Sequence, residues 1–139
     1  MLRDGVILKK IQVSCAIIEK NGLVLAAQRS ESMSLPLKWE FPGGKLAPQE
    51  TAADCLVREI KEELGVDITI SSSLSPSDWQ YPNFAITLYP FVCGLDSEEM
   101  FLAEHRCIAW VKPEDLPDLD WAEADIPVVN DYLTYLRES

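Results

Sequence analysis

The chain has 139 residues, 47% of them hydrophobic and 25% charged, and a formal net charge of −11. That length and balance fit one globular domain, residues 1–139, with a core of useful size. The negative charge argues against nucleic-acid polymers and anionic membranes as partners, because most of the surface would repel them.

No signal-peptide pattern opens the sequence, and no apolar run is long enough to span a bilayer. The four cysteines, Cys15, Cys55, Cys93 and Cys107, lack C-x-x-C spacing and sit in apolar contexts. They read as reduced, buried thiols of a cytoplasmic protein. Residues 6–18 are rich in β-branched side chains and predict one long or two short strands. Asn21-Gly22 is a hairpin signal, and residues 23–28 return as a strand. Residues 30–38 are polar and contain proline, which predicts a loop. Trp39-Glu40-Phe41 is a short extended piece that runs into Pro42-Gly43-Gly44.

Residues 51–64 predict the central helix, with Ala53, Leu56, Val57, Ile60 and Leu64 as its apolar stripe and Gly65 as a left-handed stop. Further strands are expected at 66–70, 83–93 and 106–111. A short turn or helix begins at Pro113, and residues 126–137 close the chain as an amphipathic helix. This order of elements predicts an α/β fold, a mixed sheet with helices on both faces.

The helix carries the chemistry. Glu59, Glu62 and Glu63 fall at i, i+3 and i+4 and share one face. Like charges at that spacing repel, and a bound cation would relieve them. Hard divalent cations such as Mg²⁺ take oxygen ligands. The alternative is a solvated acidic face.

Gly44, Glu50, Arg58, Glu59, Ile60, Glu62, Glu63, Gly65 and Val66 fill every fixed position of the pattern G-x5-E-x7-R-E-U-x-E-E-x-G-U, where U is a bulky aliphatic. In this the chain resembles the Nudix hydrolases, which cleave nucleoside diphosphates linked to another group. The resemblance implies the α/β/α Nudix sandwich and a Mg²⁺ cofactor, with Mn²⁺ as a substitute. It places Glu59, Glu62 and Glu63 as metal ligands, with Glu59 and Glu63 the main pair because i,i+4 carboxylates can converge. It makes Arg58 the partner that orients a glutamate; a plain i,i+4 pair with Glu62 is the alternative.

Glu50, just before the helix, can cap it or bear on the metal shell. Gly43 and Gly44 can give unhindered backbone where the loop meets metal or phosphate. In MutT-like members, residues at the positions of Arg29 and Lys45 approach the phosphates. The general base lies on the signature helix or on a later loop. Glu104 is the loop candidate, with Glu98, Glu99 and His105 beside it.

The segment from Leu119 to Pro127 resembles the stretch before the last helix in MutT-like and CTP-pyrophosphohydrolase-like members, where Asp125 would reach the nucleobase. As a carboxylate it only accepts hydrogen bonds; it could equally be a helix N-cap. Tyr81 and Phe84, then Trp79, are candidate stacking surfaces. The expected activity is release of a nucleoside monophosphate and pyrophosphate from 8-oxo-dGTP, or from CTP or a modified dCTP. ADP-ribose or dinucleoside polyphosphate hydrolysis, and a non-catalytic nucleotide sensor, are the alternatives. The partner is a small nucleotide, and the chain is expected as a monomer or homodimer.

Overall fold

The structure, a computed structural model, describes residues 2–3, 6–7, 9–96 and 107–139. Leu2–Arg3 (β1) and Val6–Ile7 (β2) form a small antiparallel ladder. Lys9–Lys20 (β3) is a long strand joined to Leu23–Gln28 (β4) by a two-residue turn. Asn21 and Gly22 both take positive φ, 53° and 78°, as a type I′ hairpin requires.

Trp39–Glu40 (β5) pairs with β4, and Gly43–Lys45 (β6) pairs with β3. The helix Ala52–Leu64 (α1) follows, then Ile68–Ser73 (β7), Ser77–Gln80 (β8), Phe84–Leu95 (β9) and Cys107–Val111 (β10). Two 3-10 turns, Pro113–Asp118 and Glu123–Asp125, lead into the last helix, Ile126–Arg137 (α2).

One mixed sheet organises these parts. Its order is β10-β4-β3-β9-β7, with β5, β6 and β8 added on β4, β3 and β9. β3 and β9 run parallel, from Lys9 opposite Phe84 to Glu19 opposite Gly94; the other pairings are antiparallel. Side chains alternate across a strand, so β3 feeds two cores. Cys15 and Ile17 join Leu116, Trp121, Val128 and Tyr132 beneath α2. Ala16 and Ile18 join Leu56, Ile60 and Leu64 beneath α1. The result is the helix–sheet–helix sandwich expected from the sequence.

The structure differs from the sequence reading in places. Val57 is exposed, whereas Cys55 is buried and completes the stripe with Leu56, Ile60 and Leu64. Val57 lies on the α1 face turned from the sheet, so its hydrophobicity misled the pattern. β8 was not expected, because Ser-Asp-Trp-Gln has no apolar alternation; its register against Leu88 to Ala85 of β9 makes it a strand. The strand expected at 66–70 begins at Ile68 and runs on to Ser73. All four thiols are free; Cys15, Cys55 and Cys93 are buried and Cys107 half-buried. Among the described residues no helix is long and apolar enough to cross a membrane.

Candidate active site

Helix α1 is held at both ends by local chemistry. Thr51 is its N-cap, and its Oγ1 accepts the Asp54 N–H at 3.0 Å. Gly65 ends it at φ 69°. Between these ends one guanidinium manages the acidic face. Arg58 grips Glu50 with two bonds, Nε to Oε2 at 2.7 Å and Nη2 to Oε1 at 2.8 Å. Its Nη1 donates to Glu59 Oε1 at 2.9 Å and reaches Glu62 at 3.3 Å. This positive charge offsets the i, i+3, i+4 repulsion read from the sequence.

The side-chain bonds from Arg58, with the Ala47 N–H, hold the Glu50 carboxyl down to about 2. Glu50 neither caps the helix nor lines the cavity described next; it is the counter-ion of Arg58. Ser14, buried on β3, donates to Cys55 Sγ at 3.1 Å, and that sulfur lies 3.5 Å from the Gly44 carbonyl and 3.4 Å from that of Lys45. These contacts seat α1 on β6.

A cavity of about 500 Å³ opens beside α1 and β6. Glu59, Glu63, Gly43, Gly44 and Lys45 line it, with Glu59 against Gly44. Asp125, Phe41, Tyr81 and Phe84 form a second group in the lining, joined by the Phe41–Asp125 bond and the Tyr81–Phe84 ring contact. Val13, Cys15 and Leu88 add apolar lining. The glycines are there for space. A Cβ on Gly43 would stand 1.9 Å from the Ser14 carbonyl oxygen, and one on Gly44 would stand 2.2 Å from Glu59 Cδ. Gly44 therefore lets a carboxylate lie directly against the loop backbone. Two carboxylates, Glu59 and Glu63, with bare loop backbone beside Glu59, offer oxygen donors that suit a hard divalent cation. Among the described residues no group of three His, Cys, Asp or Glu side chains converges as a metal site.

Asp125 anchors the second group. It is only 6% exposed, and its Oδ2 accepts the Phe41 N–H at 3.0 Å. Its side chain makes no capping bond to α2, so the N-cap alternative falls away. Burial and then the nearby Glu40 charge push its carboxyl up to about 8, against the Phe41 N–H and Arg29, which pull it down. A carboxyl raised this far is largely protonated at neutral pH, so Asp125 can donate as well as accept, where the sequence reading gave it acceptance alone.

The structure gathers most of the residues that the sequence nominated. Glu59, Glu63, Gly43, Lys45, Arg29, Tyr81, Phe84 and Asp125 all line the cavity. Arg29 is engaged with the protein: it donates from Nη1 to Glu40 at 2.8 Å, from Nε to the Ser34 carbonyl at 2.6 Å and from Nη2 to Ser34 Oγ at 3.1 Å. Tyr81 is buried, and its ring is tilted on Phe84 with centroids 4.9 Å apart. Glu62 does not enter the cavity; its side chain is 59% exposed and paired with Arg58. Trp79 packs into the α2-side core and does not line the cavity. Glu104, with Glu98, Glu99 and His105, lies outside the described residues.

Sequence reasoning missed Cys15 and the Phe41 N–H. Cys15 carried a signal in its place among strand alternations, but nothing local marks a backbone N–H as part of a site.

A family model described as NUDIX domain matches residues 8–132. The chain is 32% identical over 126 residues to the CTP pyrophosphohydrolase of Escherichia coli strain K12, covering 91% of this chain and 93% of that protein. It is 28% identical over 123 residues to the 8-oxo-dGTP diphosphatase of the same strain, covering 88% and 95%. Among solved structures, it is 43% identical to the DNA mismatch repair protein MutT, of the family Nudix hydrolase, from methicillin-resistant Staphylococcus aureus 252. That match has a TM-score of 0.76 and covers 93% of this chain and 99% of the other.

Two measurements check this geometry. Gly43→Ala meets rigid backbone and should lower the melting temperature by an amount equivalent to about 1–3 kcal/mol. Gly44→Ala meets a side chain that can swing away. It should cost less stability but displace Glu59 and abolish turnover; equal melting losses in the two variants would contradict the contacts.

The second measurement uses pH. An unfolded Asp titrates near about 3.9, so between there and about 8 the folded chain keeps a proton that the unfolded chain has released. The stability contributed by this group is therefore full below about pH 4 and is lost as pH rises to about 8. The melting temperature of the native chain should fall relative to that of Asp125→Asn across this window. Parallel curves would contradict the assignment.

Proposed function

The chain belongs to the Nudix hydrolase family, and from that premise we propose that it is a Mg²⁺-dependent pyrophosphohydrolase of nucleoside triphosphates, releasing a nucleoside monophosphate and pyrophosphate. The observation that carries this reading is one cavity with two unlike groups in its lining. One is a pair of carboxylates with bare loop backbone, and the other is a buried acid whose carboxyl is pushed up to about 8. A triphosphate suits the first and a base the second.

Glu59 and Glu63, with the Gly43 backbone, are the residues we assign to hold Mg²⁺, or Mn²⁺ in its place. Bound there, the ion supplies neutralisation of the phosphate charge. The chain's own residues do the rest. Arg58 fixes the Glu59 carboxylate from one side, and Glu50 fixes Arg58 in turn. Lys45, exposed on β6 at the cavity, is placed to meet the outer phosphates. Arg29, tied to Glu40 and Ser34, holds the 30–38 loop against the cavity as well as presenting positive charge to it.

The base end favours a particular edge. Asp125 Oδ2 uses one lone pair on Phe41 and keeps the other; the neutral carboxyl also donates its proton. It therefore matches a base that shows an acceptor beside a donor. Cytosine does so with N3 and its amino group, and 8-oxoguanine with O6 and N7–H. The same edge of guanine shows two acceptors, O6 and N7; its Watson–Crick edge, O6 beside N1–H, also offers the pair, so the discrimination requires that the base present its N7 edge, and dGTP is the control that tests this. This supports CTP or a modified dCTP, and 8-oxo-dGTP, as the substrate class. CTP and 8-oxo-dGTP are also the substrates named for the two Escherichia coli relatives. Adenine shares the pattern on a purine frame, so dATP belongs among the controls.

Turnover of 8-oxo-dGTP, dGTP, CTP, dCTP, 5-methyl-dCTP, dATP, ADP-ribose and a diadenosine polyphosphate, with products identified, tests the proposal. Pyrophosphate from 8-oxo-dGTP or a cytosine nucleotide is the expected result, and Glu63→Gln should cut it by orders of magnitude in a folded protein. The preference for that substrate over dGTP should weaken as pH rises through about 8. Turnover confined to ADP-ribose or the dinucleotide would overturn the triphosphate reading. Nucleotide binding without Mg²⁺-dependent turnover would make the chain a sensor.

A further inference from the structure

We infer that Tyr81 is a positioning residue for base selection, acting through Asp125; this rests on the base-reading role proposed above. The turn that carries Asp125, Glu123–Asp125, begins without a cap of its own. Ala122 stands at its N-cap position and offers no side chain to bond the first free N–H groups. Such groups need acceptors when buried. Asp125 N finds the Ala122 carbonyl at 2.9 Å. Ala124 N finds the Tyr81 hydroxyl, also at 2.9 Å, from 43 residues away. Tyr81 thus supplies from another element the cap that the turn lacks.

The tyrosine is itself well anchored. It closes the turn of the β8–β9 hairpin, where its N–H bonds the Phe84 carbonyl at 2.8 Å. Its ring rests on Phe84 and is 8% exposed. A buried ring gives little free face to a base, so the stacking role expected from the sequence yields to this one. The hairpin, through one hydroxyl, sets the place of the residue next to Asp125. The Asp125 carboxyl must hold its line to the Phe41 N–H and face the cavity at once, and a shift of the turn would spoil that aim. Phe41 holds the carboxyl directly, and Tyr81 holds the backbone of the preceding residue, Ala124.

Tyr81→Phe removes the oxygen and keeps the ring, so the hairpin packing survives. The experiment measures kcat and KM for the preferred triphosphate and for the triphosphate with the unmodified or exchanged base, in the native chain, Tyr81→Phe and Asp125→Ala. It adds hydrogen exchange at the Ala124 amide. The expected result for Tyr81→Phe is a loss of about threefold to tenfold in selectivity, carried by KM, the effect of one neutral hydrogen bond. The Mg²⁺ dependence should stay close to native, and the Ala124 amide should exchange faster. A purely structural role would lower the melting temperature and leave selectivity alone. Unchanged selectivity in Tyr81→Phe, with Asp125→Ala flattened, overturns the inference and leaves the base reading standing. Unchanged selectivity in both variants overturns the base reading and this inference with it.

Discussion

The cavity depends on the buried bond from the Phe41 N–H to Asp125. Strand β5 and the segment after Leu119 run side by side: Trp39 N donates to the Asp120 carbonyl at 2.9 Å, and Ala122 N to the Trp39 carbonyl at 2.8 Å. The next acceptor in that parallel ladder would be the Ala122 carbonyl, but the Asp125 N–H already occupies it. Phe41 N would then be buried without a partner, at a cost of about 1–3 kcal/mol. The Asp125 carboxyl takes the place of the missing carbonyl. A side chain that completes a backbone ladder is fixed by the fold before any ligand arrives. Two residues beyond Phe41 comes Gly43, so the same bond ties Asp125 to the loop that lies against Glu59.

The acidic end is kept in order by a different device. The chain carries a net charge of −11, and α1 concentrates three glutamates on one face. Arg58 makes that tolerable by spreading one guanidinium over Glu50, Glu59 and Glu62. The exposed pair with Glu62 contributes little to stability. The two-pronged grip on Glu50 matters more for geometry, because it sets the direction from which Arg58 approaches Glu59. Gly44 then decides how close that carboxylate can come to the loop. Charge control and clearance are separate tasks, done by separate residues of the same sequence pattern.

Features set by neighbours in sequence were legible. The Asn21-Gly22 hairpin, the α1 bounds, the Gly65 stop and the shared face of Glu59 and Glu63 follow from local spacing and conformational preference. The two-faced mixed sheet followed from the order of elements. What was not legible comes from distant pairing. Nothing local gives Ser77–Gln80 a strand, or gives the Tyr81 hydroxyl a partner at Ala124. Nothing in the residue type says that Asp125 is neutral, since that depends on burial and on Glu40. The placement of Glu62 outside the cavity follows from the rotation of α1 on the sheet, which a helical repeat alone does not set.

Direct titration of the Asp125 carboxyl in the free protein tests the account at its centre. Site-resolved carbon NMR of the side-chain carboxyl, followed from about pH 2.5 to about pH 10 so that both an ordinary and a raised midpoint fall inside the range, reads the protonation state without reference to activity. The account predicts a midpoint near 8 and little change in the carboxyl signal around pH 4. A midpoint near about 4, the ordinary value for an exposed aspartate, would contradict it and return Asp125 to a charged acceptor.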